Sequence, residues 1–143
     1  MALERFGDRW SLLIIRDLMV RGYKTFGEFL GSGEGIASNI LADRLRKLTE
    51  YGIVTAEVEE KDARKVNYRL TAKGIDLAPV ILELLLWSAR HEETGAPCAL
   101  IEHMASNRDQ ILDEARRRWR DRDPTPLLPR FAREENSPKR RKG

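Results

Sequence analysis

Three features of the sequence predict a mainly α-helical fold carrying one small β-hairpin. Apolar residues recur at three- and four-residue steps up to Tyr51, alternate between Ile53 and Leu70, and return to helical spacing from Thr71 to about Asp121. A helix, a short helix, a turn, an amphipathic helix and a tight hairpin form the order of a winged helix-turn-helix, here with an added C-terminal helix. The expected division is residues 1–96 for that domain, 97–121 for the C-terminal helix as a dimer or packing element, and 122–143 for a basic, disordered tail.

The opening segment, Ala2 to Gly22, reads as helical, with a start signal at Asp8 and a stop at Gly22. Trp10, Leu13, Ile14 and Leu18 form a buried stripe, and Leu12, Ile15 and Met19 fall off it. A helix apolar on more than one side is covered by two neighbours, here its own core and a second subunit. Thr25 opens a second, short helix with Glu28 at capping-box spacing, and Phe26, Phe29 and Leu30 face inward. The run Gly31-Ser-Gly-Glu-Gly35 ends it, since no helix favours that composition. The third helix, 37–51, ends at Gly52. Its Leu41, Leu45 and Leu48 cluster within about 60° of arc. Asn39, Ala42, Asp43, Arg46, Lys47 and Glu50 take the opposite arc, and Arg44 flanks the leucines.

From Ile53 the period is two. Val54, Ala56 and Val58, then Val66, Tyr68 and Leu70, place one hairpin face on the core, with Lys61, Arg64 and Lys65 near the tip. Thr71 caps a helix running through about Glu92, striped by Leu77, Ile81, Leu84 and Leu85, with Val80 and Trp87 widening the apolar surface and Pro79 bending it from inside. Gly95-Ala-Pro97 breaks the chain. A last helix, Cys98 to Asp121, carries Ile101, Met104, Ile111, Ala115 and Trp119 on a heptad-like seam. Proline and charge beyond Pro124 predict a disordered tail.

The composition excludes several classes. The longest apolar runs, Leu12 to Ile15 and Leu84 to Trp87 among them, are far short of the about 20 residues a membrane-spanning helix needs. No secretion signal is read at the start, and the one cysteine, Cys98, cannot form an internal disulfide, so a reducing cytoplasm is expected. The net charge of +3 misleads: residues 116–143 carry +7 and the rest −4. A case for binding DNA must therefore come from particular positions rather than from overall basicity.

Those positions exist. A groove-reading helix needs small polar or basic residues near its exposed amino-terminal half, and Ser38, Asn39, Arg44 and Arg46 meet that need. The candidate contacts on helix 37–51 are Ser38, Asn39, Ala42, Arg44, Arg46 and Lys47. Candidate wing and backbone contacts are Lys24, Thr25, Lys61, Arg64 and Lys65, the hairpin tip at 60–65 positioning the protein on phosphate rather than specifying sequence. The competing reading is a solvated face: Arg44 can pair with Asp43 or Asp17, and Arg46 with Glu50, while Glu59, Glu60 and Asp62 dilute the wing's field. Cys98 is either a thiol sensor or a small packing residue. No metal or cofactor is expected, and no phosphate loop or nucleophile elbow supports an enzyme. Trp10, Trp87 and Trp119 either line a pocket for a small-molecule effector or anchor a dimer core. Pro138-Lys-Arg-Arg-Lys142 either adds nonspecific phosphate attraction or is solvated tail. The alternative to a DNA-binding regulator is a winged helix that docks protein and never DNA.

Arg9-Trp10-Ser-Leu-Leu-Ile-Ile-Arg-Asp-Leu18, Phe26-Gly-Glu-Phe29, Leu41-Ala-Asp-Arg44-Leu45-Arg-Lys-Leu48, Gly52-Ile-Val54, Val66-Asn-Tyr68-Arg-Leu-Thr71, Gly74 and Pro79 through Trp87 closely resemble the HxlR family. These are bacterial winged-helix transcriptional regulators, broadly akin to the MarR group, and the resemblance covers about residues 2 to 91. It implies a homodimer joined by terminal helices, presenting two reading helices to a near-palindromic operator, with repression as the default. Three departures stand out. Family members often carry a cysteine shortly before the first helix, and Met1-Ala-Leu3 holds none, so thiol sensing does not follow from the resemblance. Ala37 replaces the usual capping Ser or Thr, leaving Ser38 to cap one residue later; a lost cap costs about 1 kcal/mol. The helix after Cys98 and the basic tail exceed the usual family core.

Overall fold

The computed structural model describes residues 2–128. The opening helical segment is interrupted rather than continuous. Helix α1 (Ala2–Phe6) stops before Gly7, and Asp8 restarts the chain by accepting a hydrogen bond from the Ser11 amide at 3.1 Å, which caps α2 (Arg9–Arg16). The helix then widens into one π turn, Asp17–Arg21, before Gly22 ends it at φ 72°. That turn buries Asp17 between the Arg16 and Arg21 guanidiniums, at 2.9 and 3.3 Å. Loss of water around Asp17 pushes its carboxyl above the ordinary range, although both arginines oppose the shift.

Helix α3 (Phe26–Leu30) carries the capping box its sequence predicts. The Thr25 hydroxyl accepts from the Glu28 amide, and Glu28 accepts from the Thr25 amide, both at 3.1 Å. Helix α4 (Ser38–Glu50) follows the glycine-rich turn and closes at Gly52 with φ 73°. Its cap differs from expectation: Ala37 occupies the cap position with no side-chain bond, and Ser38 is already inside the helix.

Strands β1 (Val54–Val58) and β2 (Val66–Leu70) pair antiparallel with Val54 opposite Leu70 and Val58 opposite Val66. The predicted apolar face packs on the core at its base and, through Tyr68, at its middle, but not along the whole of β1. Val54 and Leu70 are buried, whereas Ala56 and Val58 are exposed because the hairpin projects beyond the helices that would cover them. The Tyr68 amide donates to the Lys24 carbonyl at 2.7 Å, so the segment before α3 is tied to the hairpin's edge.

The helix expected from Thr71 to Glu92 is two. Helix α5 (Ala72–Ile75), capped by Thr71, is followed by α6 (Ala78–His91), and Pro79 lies in the first turn of α6, where no helical bond is lost and no bend results. Gly74 is buried so close to β1 that an added Cβ would overlap the Ile53 carbonyl oxygen and press the Leu70 side chain. Gly74→Ala is expected to cost about 1–3 kcal/mol, read as a lower urea midpoint at unchanged slope.

The last predicted helix is also two, α7 (Cys98–Ser106) and α8 (Arg108–Arg120), separated at Asn107. A continuous heptad seam is therefore absent. Met104 packs with Leu82 and Leu86 of α6, with Ile101 and Ile111 beside it, while Trp119 joins the main core. The indole N–H of Trp119 donates to the Leu70 carbonyl at 2.7 Å, and Arg69 stacks over its ring. Residues 124–128 correct the expectation of disorder from Pro124 onward. The Leu127 amide donates to Val20, and Leu128 packs against both apolar clusters. The remaining tail, including Pro138–Lys142, lies outside the described residues.

Candidate nucleic-acid interface

Helix α4 is fixed from one side. Leu41, Leu45 and Leu48 are each at most 2% exposed and pack with Ile14, Ile15 and Phe29. Burying a leucine stabilises by about 1.5–3 kcal/mol, so three in a row hold both position and rotation of the helix. The same geometry turns Ser38, Asn39, Ala42 and Arg46 outward as exposed residues, with Asp43, Arg44 and Lys47 half-buried beside them. The polar side chains of Ser38 and Asn39 make no hydrogen bond among the described residues. The amides of the first turn also lack a side-chain cap, leaving donors at the positive end of the helix dipole.

The basic residues of this arc are engaged by acids. Arg44 donates to Asp8 at 2.9 Å and to Asp43 at 2.6 Å; Arg46 donates to Asp43 at 2.8 Å and to Glu50 at 2.7 Å; Lys47 lies 3.3 Å from Asp43. One carboxylate thus serves three cations. Its hydrogen bonds to Arg46, then Lys47, hold the Asp43 carboxyl below its usual range, and Asp8 in turn raises the Arg44 guanidinium. The pairings with Asp43 and Glu50 are those the sequence allows. Arg44 does not reach Asp17; its second partner is Asp8, 36 residues away, which sequence reasoning identified only as a cap. No local spacing signals such a pair.

At the hairpin tip Lys61, Arg64 and Lys65 are exposed, Arg64 with 94% of its side chain accessible. Asp62 turns the tip by accepting from the Arg64 amide and stands 3.5 Å from its guanidinium, while Glu59 accepts from Asn67 instead of neutralising a lysine. Lys61 and Lys65 enter no ion pair among the described residues. Lys24 is exposed beside the hairpin edge, whereas the Thr25 hydroxyl is occupied by its capping box.

The other candidates lie elsewhere. Cys98 is exposed at the start of α7, and no group of metal-ligating side chains forms among the described residues. Trp87 is 56% exposed, and Trp119 is held by Arg69 and Leu70. Trp10 borders a void of about 10 Å³, too small for an effector. No helix among the described residues is long and apolar enough to cross a membrane.

The HxlR-like helix-turn-helix family profile matches residues 5–96. An HTH-type transcriptional regulator of Mycobacterium tuberculosis is 36% identical over 104 residues, covering 71% of this chain and 65% of the relative, so the chain spans less than two thirds of that protein. The HTH-type transcriptional regulator YodB of Bacillus subtilis is 37% identical across 66% of this chain and 83% of its own. Among solved structures, the redox regulator HypR in its oxidised form superposes with a TM-score of 0.58 at 31% identity, covering 64% of this chain and 94% of HypR. These relatives are regulators rather than enzymes. With its helices and hairpin in this order and its sequence matched from 5 to 96, the chain belongs to the HxlR-like helix-turn-helix family of transcriptional regulators.

Proposed function

We propose that two copies of this chain form a cytoplasmic repressor that occupies an operator. Helix α4 of each copy enters a major groove, and residues 60–65 of each hairpin rest on phosphate. The observation that carries this reading is the division of α4 into three buried leucines and an exposed arc of Ser38, Asn39, Ala42 and Arg46. Asn39 offers an amide suited to adenine and Arg46 a guanidinium suited to guanine. Arg44 and Lys47 contribute after exchanging Asp8 and Asp43 for phosphate or base. The uncapped first turn of α4 supplies further amide donors to a phosphate oxygen.

The dimer surface is read from α6. Val80, Leu84 and Trp87 fall at helical spacing and are 44%, 44% and 56% exposed, a stripe on the side away from buried Ile81, Leu82 and Leu86. Pairing through it sets the two α4 helices near one duplex turn apart, and occupancy then blocks polymerase.

Footprinting on mapped binding sites tests the assignment. Asn39→Ala is expected to relax base preference with a loss of about 1–3 kcal/mol on the best site. Lys61→Ala is expected to weaken all duplexes alike and to lower the salt slope by about 1. Parent-like behaviour of both variants at moderate salt overturns the contacts. The ion pairing of Arg44, Arg46 and Lys47 favours a second reading, a protein docked on the same face. Excess operator duplex competes such a partner away only if DNA binds there.

A further inference from the structure

A cavity of about 270 Å³ lies between the turn that leads into α4, the end of α2 and the appended helices. That volume approaches the lower end of small-molecule sites, about 300 Å³. Leu86 and Ala89 of α6, with Ile101 and Met104 of α7, make its apolar wall, and Arg16 and Glu34 stand at its polar end. Helix α7 begins beyond residue 96, so this cavity is built in part by chain outside the matched family core.

The polar end is specific in its chemistry. The Arg16 side chain is only 16% exposed, and it spends Nε and Nη2 on Asp17, with Nη2 also reaching Glu34 at a longer 3.3 Å. Its Nη1 makes no hydrogen bond among the described residues. A guanidinium confined against an apolar wall, with one nitrogen unused and a weakly held carboxylate at another, matches an incoming carboxylate, which forms two parallel bonds with such a fork.

We propose that this cavity binds a small amphipathic monocarboxylate, its aliphatic body against Leu86, Ile101 and Met104 and its carboxylate on Arg16 in competition with Glu34. Glu34 belongs to the turn between α3 and α4, and its Oε2 lies 3.9 Å from Arg9 as well. Displacing it from Arg16 removes a tether of that turn, so occupancy is transmitted to the amino end of α4. The site is independent of DNA; this last step rests on the DNA-binding reading above.

Octanoate is the probe, followed by methyl NMR of the full chain labelled at methionine, where Met104 reports the cavity wall. The Met104 signal is expected to shift saturably with octanoate, octanol to bind about ten-fold more weakly, and Ala89→Phe to remove the shift by filling the space. Because Arg16→Gln also strips Asp17 of a partner, Glu34→Gln is the sharper variant: it is expected to tighten octanoate and leave octanol unchanged. An unmoved Met104 signal, equal binding of octanol, or an octanoate affinity indifferent to Glu34→Gln overturns the site. In a parallel retardation assay octanoate is expected to change operator affinity in the parent and not in Ala89→Phe. Unchanged affinity overturns the link to α4, whereas a protein that titrates with octanoate yet never binds its operator overturns the DNA reading and leaves the site standing.

Discussion

Leu84→Asp combined with Trp87→Asp is expected to abolish pairing through the proposed α6 stripe, leaving a monomer, and to lower operator affinity about a hundred-fold or more. In the proposed dimer, two reading helices on one body bind the second half-site at a high effective concentration, and separating them forfeits that gain without altering a single DNA contact. Leu84 and Trp87 sit on the exposed side of α6, while Ala78, Ile81, Leu82 and Leu86 are buried on the other, so the charges enter the stripe and leave the fold intact. Sedimentation velocity reads the assembly, circular dichroism the fold, and gel retardation the affinity for full and half operators. A variant that stays dimeric refutes the stripe as the interface. One that becomes monomeric yet keeps full operator affinity refutes the paired mode of binding.

The elements legible in the sequence are those whose cause is local. Asp8 and Thr25 are read correctly as caps because each acts three residues away, on Ser11 and Glu28. The leucine spacing of α4 is likewise a property of one helix, and it alone determines which residues are turned outward. What the sequence hides has distant causes. Pro79 looks like an interior kink, yet it stands in the first turn of α6, where its missing N–H costs nothing, and the packing of Gly74 against the Ile53 carbonyl, 21 residues away, is invisible to local spacing. The seam from Ile101 to Trp119 keeps its spacing through Asn107, yet the Asn107 side chain donates to the His103 carbonyl and the chain bends there, sending Met104 to α6 and Trp119 to the hairpin. Residues 124–128 read as tail because proline and charge surround Leu127 and Leu128, whose role appears only where Val20 and the apolar clusters receive them. Gly22 belongs to the same arrangement: with φ 72°, and with an added Cβ at 2.6 Å from the Pro124 carbonyl oxygen, its replacement by alanine is expected to displace this strap and lower the melting temperature.

The candidate interface shows the same division, and its electrostatics yield the other large effect. Composition places basic residues on α4, and pattern turns them outward, but only the structure shows that Asp43 occupies Arg44, Arg46 and Lys47 together. On the proposed reading DNA therefore has to displace acid–base pairs that already exist, which costs affinity for every duplex and spares those whose bases repay the exchange. Asp43→Asn removes the shared carboxylate while Asp8 still holds Arg44 and Glu50 still holds Arg46, so the cation most fully released is Lys47. Affinity for random duplex at moderate salt is expected to rise about ten-fold, with the dependence on salt steeper by about one counterion. The mapped operator is expected to gain less, because Arg46 loses one of the two acids that orient it, and the ratio of specific to nonspecific binding falls. Salt titrations of both duplexes measure this directly. If random duplex binds the variant no better than the parent, the pairs around Asp43 survive in the complex, and α4 meets DNA through Ser38, Asn39 and its uncapped amides rather than through its cations.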